Sequence, residues 1–226
     1  MLCHIYIFRH GQTHFNKRKR FAGWMNAEWT RKGKINACRT AKKLRHKRID
    51  VVFETKLIRS IHTLKEVRKY HPNALKLKDD RMIERCYGTL QGHSHKAFIR
   101  IQGKKLFDTY HRSYSVAPPH GESVKMVEKR VLSFIHDMLL FIKKYKVNVA
   151  ISAHGNSMRP FRRYFEHASV KEMMKWEMPY DDYFTYAIEV PNGTRLQPTR
   201  NSWKSIHLPE HVQLAPDKKN VLKKYY

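Results

Sequence analysis

Leu2-Cys3-His4-Ile5-Tyr6-Ile7-Phe8-Arg9-His10-Gly11 lies at the start of the chain, and Val147-Asn148-Val149-Ala150-Ile151-Ser152-Ala153-His154-Gly155-Asn156 lies far downstream. Each is an apolar run of buried-strand length that stops at a His-Gly turn. The opening run has no basic leader and no cleavage site, so it reads as a first strand and not as a signal peptide. Between and beyond the two runs, strand and helix patterns alternate. Thr30 caps a predicted helix over residues 31–48, with Ile35, Cys38, Ala41 and Leu44 on its apolar face. Residues 50–54 form a second strand, residues 57–70 a basic helix, and residues 75–77 a weak strand. Residues 93–114 suggest one or two short helices. Residues 123–145 are the clearest helix, with Val127, Val131, Phe134, Met138 and Ile142 at helical spacing. Residues 183–190 and 194–196, joined by Pro191-Asn192-Gly193, read as a hairpin. The alternation predicts an α/β sandwich around a largely parallel sheet. Functional groups in such sheets gather at the carboxyl ends of the strands. Both His-Gly pairs stand at such ends, and two central strands would bring the imidazoles together.

The chain of 226 residues is long enough for one domain with a full core. Residues 1–198 are expected to form that domain and residues 199–226 a basic tail. With 41% hydrophobic residues the chain is not disordered, and no apolar run reaches the ~18 residues of a bilayer span, so no membrane partner is expected. Three cysteines form no paired framework, which predicts reduced thiols and a cytoplasmic address. The net charge is +27, and residues 31–48 alone carry nine Lys or Arg and no acid. Such a field favours anionic partners. It is too diffuse to mark a nucleic-acid face, and the basic residues 31–48 are expected to be a solvated surface away from any pocket.

His10, His154, Arg9, Arg59 and the amides of the helix opening at Gly155-Asn156-Ser157 describe a phosphate pocket with a nitrogen nucleophile. His93-Ser94-His95 is a His-x-His pair without a third ligand, so no metal site is expected.

Arg9-His10-Gly11-Gln12-Thr13 resembles the Arg-His-Gly-(Glu/Gln)-(Ser/Thr) signature of the histidine phosphatase superfamily, the phosphoglycerate mutase-like family. Further blocks follow in order: Asn16; Phe21-Ala22-Gly23-Trp24; Leu57-Ile58-Arg59-Ser60; Glu84-Arg85-Cys86-Tyr87-Gly88-Thr89-Leu90-Gln91-Gly92; Arg112-Ser113-Tyr114 with Ala117-Pro118-Pro119-His120-Gly121-Glu122-Ser123; and Ala153-His154-Gly155-Asn156-Ser157-Met158-Arg159. The resemblance implies a three-layer α/β/α sandwich. It implies that His10 is the nucleophile forming a phosphohistidine, that Arg9, Arg59 and His154 hold the phosphoryl oxygens, and that Glu84 is the general acid/base. Asn16, Ala22, Gly23, Tyr87, His95, Arg112 and Asn156 would bind phosphate or substrate. No metal and no permanent cofactor is implied, and a mutase would use 2,3-bisphosphoglycerate as phosphoryl donor.

The blocks look most like cofactor-dependent phosphoglycerate mutases, with a phosphomonoesterase as the alternative. A basic nucleic-acid-binding protein with a vestigial site is a distant third. Three departures bear on this choice. His95 and His111 stand where mutases carry a lysine and an arginine, and Tyr180-Asp181-Asp182 replaces a Thr-Gly pair after Met178-Pro179. The histidines are expected to supply positive charge that fades between pH ~6 and ~8. The aspartates are expected to disfavour a carboxylate-bearing substrate. Small phosphorylated metabolites are the expected partners, and the oligomeric state is left open.

Overall fold

The computed structural model describes residues 1–206. Its sheet has five strands: β1 (Leu2–Arg9), β2 (Val51–Glu54), β3 (Leu75–Lys78), β4 (Val149–Ala153) and β5 (Tyr183–Glu189), in the order β3-β2-β4-β1-β5. The first four are parallel, and β5 runs antiparallel along β1. Alternate side chains leave a strand on opposite faces. Ile5, Ile7, Phe53, Val149 and Ile151 therefore pack on one side, against α6 (Val124–Tyr145) and α7 (Gly155–Glu166). Tyr6, Phe8, Val52 and Ala150 pack on the other, against α2 (Arg31–Leu44) and α3 (Ile58–Arg68). The result is the three-layer α/β/α sandwich, with β1 and β4 near its centre.

Three further helices sit by the carboxyl ends of the strands: α1 (His14–Lys17), α4 (His95–Gln102) and α5 (Lys104–Arg112). Phe98 of α4 and Leu106, Phe107 and Tyr110 of α5 pack around Phe21, Tyr87 and Leu90 as a separate small core. Gly103, at φ 81°, makes the break between α4 and α5.

Three expectations need correction. Ala41 and Leu44 of the expected face are buried, but Ile35 is 45% exposed and Cys38 half-buried, and α2 buries Gly33, Asn36, Ala37 and Thr40 in their place. Close approach decides this: a Cβ on Gly11 would lie 2.2 Å from the Gly33 carbonyl oxygen, so α2 turns its small side chains inward. The hairpin does not form. β5 pairs with β1 from Leu2↔Glu189 to Phe8↔Tyr183, and residues 194–196 are not a strand. The long edge of β1 offers seven partners, which a three-residue local strand cannot match. Finally, the stretch read as tail begins as a helix, α9 (Arg200–Ile206). Its Trp203 is 5% exposed and lies against Phe53, Phe134 and Phe141, with ring centroids 4.8, 6.0 and 5.4 Å away. A single aromatic in a polar stretch leaves no periodic trace. Residues 207–226, the rest of that expected tail, lie outside the described residues.

Candidate active site

β1 and β4 end level, since Arg9 pairs with Ala153. The next residue on each strand is a histidine, and His10 N–H donates to the Ala153 carbonyl at 3.1 Å. Adjacent strands lie about 4.8 Å apart, and the two imidazole centroids are 5.1 Å apart. Both rings are buried. The His10 Nδ1 lies 2.8 Å from the Gly11 carbonyl oxygen, which can only accept, so Nδ1 carries the proton and Nε2 keeps its lone pair. His154 Nε2 lies 2.8 Å from the Thr55 hydroxyl, and its Nδ1 is buried without a partner. If the hydroxyl donates, Nδ1–H is left to point at a ligand.

Burial, and after it the guanidinium of Arg59, holds both imidazoles well below the usual histidine range; Arg9 adds to the effect at each. Both rings are therefore neutral at pH 7. Glu84 completes the group: one nitrogen of each histidine and a Glu84 oxygen all lie within 4.8 Å of one another. Three such donors have the spacing of a metal site. The arginine charges that depress both histidines oppose a cation there and favour an anion.

The supporting contacts explain how the floor is held. Arg59 opens α3 and donates from Nη1 to the Met25 carbonyl and from Nη2 to the Gly23 carbonyl, both at 2.7 Å. This ties the Phe21-Ala22-Gly23-Trp24 turn to the floor. Gly23 has φ +51°, and a Cβ there would lie 1.9 Å from the Gln91 side-chain oxygen. Asn16 Oδ1 accepts from the Thr13 amide and hydroxyl at 3.0 and 2.9 Å, so the group it can offer a ligand is its amide N–H. Glu84 Oε1 accepts from the amides of Arg85 (2.8 Å) and Asn156 (3.1 Å).

Arg130 and Glu122 pin the Glu84 loop from behind. Arg130 Nη1 donates to the carbonyls of Arg81 (2.6 Å) and Ile83 (2.8 Å), and Nη2 to that of Glu84 (3.1 Å). Its Nε and Nη2 reach the Glu122 carboxylate at 2.9 and 3.0 Å. Arg130 lies 46 residues from Glu84 in sequence. It belongs to none of the motif blocks, so only the folded chain reveals it.

Above the floor is a cavity of about 620 Å³. Arg9, Asn16, Ala22, Gly23, Glu84, Tyr87, His95 and Asn156 of the expected set line it. His10, His154 and Arg59 lie buried beneath it. Arg112 is exposed and does not line it. Lys19, Arg20 and Glu177 line it too, although no motif marks them, and so do Arg159 and Tyr180 from stretches the sequence already singles out.

Two electrostatic expectations change. His95 and His111 do not carry charge near neutrality. Burial lowers both, with Lys19 contributing at His95, and with His95 and Arg112 contributing at His111, which falls to about 4. His111 stacks on Phe107 at 5.1 Å, and His95 packs on Phe21 at 4.3 Å. The aspartates are engaged by α2: Asp181 pairs with Arg39 at 3.1 Å and Asp182 with Lys43 at 2.9 Å. The basic helix is thus solvated, as its composition suggests, but two of its cations hold a segment that borders the pocket.

The pattern of a family model for the histidine phosphatase superfamily (branch 1) matches residues 5–196. The chain belongs to the histidine phosphatase superfamily. It is an enzyme of the mutase or phosphatase type. A 2,3-bisphosphoglycerate-dependent phosphoglycerate mutase of Pseudoalteromonas atlantica is 28% identical over 199 residues, covering 76% of this chain and 88% of the relative. A protein of the same kind from Gloeobacter violaceus is 30% identical over 208 residues, covering 78% and 90%. Among solved structures, a mycobacterial glucosyl-3-phosphoglycerate phosphatase has a TM-score of 0.71 at 19% identity, covering 83% of this chain and 91% of that one. A putative α-ribazole-5′-phosphate phosphatase from Escherichia coli has 0.73 at 18%, with the same coverage. These two likenesses concern the fold. Among the described residues no helix is long and apolar enough to cross a membrane.

Proposed function

We propose that this chain transfers phosphoryl groups through a phosphohistidine on His10, acting on small phosphorylated metabolites as a phosphoglycerate mutase does. The carrying observation is the meeting of the neutral imidazoles of His10 and His154 with the Glu84 carboxyl group beside Arg9 and Arg59. A phosphoryl group above His10 would receive N–H bonds from Arg9, Asn16 and His154, while Arg59 adds its field. The Nε2 lone pair attacks phosphorus. The N–P bond forms as the P–O ester bond breaks, and Glu84 passes a proton to the departing oxygen. In the second half the acceptor hydroxyl gives its proton to Glu84, its oxygen attacks phosphorus, and the N–P bond breaks. Fixed donors already aimed at the anion make the transfer inexpensive in reorganisation. Arginines and neutral imidazole supply the charge stabilisation, so this reading requires no metal. The named mutase relatives support 2,3-bisphosphoglycerate as the donor that charges His10. The free thiols of Cys3, Cys38 and Cys86 suit a cytoplasmic setting.

A specific observation favours a second reading, hydrolysis. The positions where mutases carry two cations hold neutral His95 and His111, and Arg112 stands outside the cavity. A carboxylate-bearing acceptor then loses part of its grip, and water becomes the acceptor. One experiment separates the readings: charge the protein with 2,3-bisphosphoglycerate, then follow 3-phosphoglycerate to 2-phosphoglycerate conversion beside phosphate release. Conversion outrunning release supports the mutase. His10→Ala is expected to lose the acid-labile phosphate label and nearly all turnover. Full labelling of that variant refutes the nucleophile.

A further inference from the structure

Residues 176–182 join α8 (Val170–Lys175) to β5, and the proposed chemistry does not use them. They nevertheless hold Arg9 from two directions. The Met178 carbonyl accepts from Arg9 Nη1 at 2.9 Å. The Tyr180 ring lies over the guanidinium, 3.9 Å from Cζ to the centroid. The guanidinium also rests against Gly155, where a Cβ would meet its Cζ, Nη2 and Nε at 3.5 to 3.6 Å. Arg9 Nε is buried without a partner.

This geometry divides the labour of the guanidinium. An aromatic ring attracts a guanidinium through its face, whereas hydrogen bonds leave through its edge. Tyr180 covers the face, Met178 takes one edge donor, and the remaining donors stay available to an anion. The ring sits close to the nucleophile as well, with centroids of Tyr180 and His10 6.4 Å apart.

The segment is anchored at both ends. At its base, Arg159 Nε donates to the Trp176 carbonyl at 3.0 Å, and the Arg162 guanidinium lies between the rings of Trp176 (4.1 Å) and Phe184 (4.0 Å). At its tip, Asp181 and Asp182 pair with Arg39 and Lys43 of α2. These tip pairs are exposed, so each is weak and screened by salt.

We infer that residues 176–182 are a strap that positions the Arg9 guanidinium for phosphate, with Tyr180 as the positioning residue and α2 as the anchor. The inference rests on the reading of Arg9 as part of a phosphate clamp. It gives two cations of the basic helix a role in the site that their composition does not suggest.

The test is calorimetric binding of inorganic phosphate, which requires no turnover, with the urea unfolding midpoint measured beside it. In Tyr180→Leu the phosphate Kd is expected to rise roughly three- to thirtyfold at an unchanged midpoint. Tyr180→Phe keeps the ring and is expected to recover the affinity. Asp181→Asn with Asp182→Asn, both outside the pocket, is expected to raise Kd about two- to fivefold. Wild-type affinity in Tyr180→Leu, or an equal loss in Tyr180→Phe, overturns the role of the ring. Wild-type affinity in the double asparagine variant overturns the anchor. Absence of phosphate binding by the wild type removes the clamp itself, and the inference with it.

Discussion

Replacing His111 by phenylalanine is expected to make stability less sensitive to acid. The ring lies on Phe107 with planes 15° apart, and its Nδ1 is buried without a partner. Burial, with the neighbouring His95 and Arg112, lowers its pKa to about 4. The unfolded chain takes up this proton near pH ~6.5, so as pH falls the unfolded state is protonated first. The folded state therefore loses stability through the window from about 6.5 down to about 4. The slope is about 1.4 kcal/mol per pH unit, which amounts to about 2 kcal/mol by pH ~5. Phenylalanine keeps the stack and cannot be protonated. It also removes the orphaned nitrogen, whose desolvation costs about 1–3 kcal/mol. The variant is expected to be at least as stable as wild type near pH ~7.5, and the gap is expected to widen by about 2 kcal/mol near pH ~5. Urea unfolding of both proteins at the two pH values measures this. Histidines that do not touch residue 111, His10 and His154 among them, are common to both proteins and cancel in the difference. An equal gap at both values would refute the reasoning. It would show that His111 titrates in the fold as it does in water, and so can still grip a carboxylate near neutrality.

Two other perturbations address how the site is built. Arg130→Met leaves the buried Glu122 carboxylate without its cation and the Arg81 and Ile83 carbonyls without their guanidinium donor, and is expected to cost about 3–5 kcal/mol in urea unfolding; pairing it with Glu122→Leu is expected to recover part of that loss, and a wild-type midpoint for the single variant would sink the assignment. Gly11→Ala places a Cβ 2.2 Å from the Gly33 carbonyl oxygen, backbone against backbone, and is expected to lose about 1–3 kcal/mol of stability. An unchanged melting temperature would show that α2 can withdraw.

What the sequence alone determined is local. Two apolar runs ending in His-Gly were readable as strands feeding tight turns, because period and turn chemistry act over a few neighbours. Their resemblance to a known signature pointed to His10, Arg9, Arg59 and Glu84 as the residues of the proposed chemistry, and the family match agrees with that signature. Tertiary structure decided what depends on distance between strangers in sequence. The level ends of β1 and β4 set the 5.1 Å between the imidazoles. Arg130 reaches the Glu84 loop from 46 residues away, and Asp181 finds Arg39 across 142. The departures from the mutase pattern that the chain resembles marked His95 and His111 as cations and the aspartates as a repulsive pair. Burial among aromatic rings removed the first charges, and the basic face of α2 engaged the second. Protonation depends on the solvent and charges surrounding a group in the folded chain, a sum over neighbours that no short stretch of sequence contains.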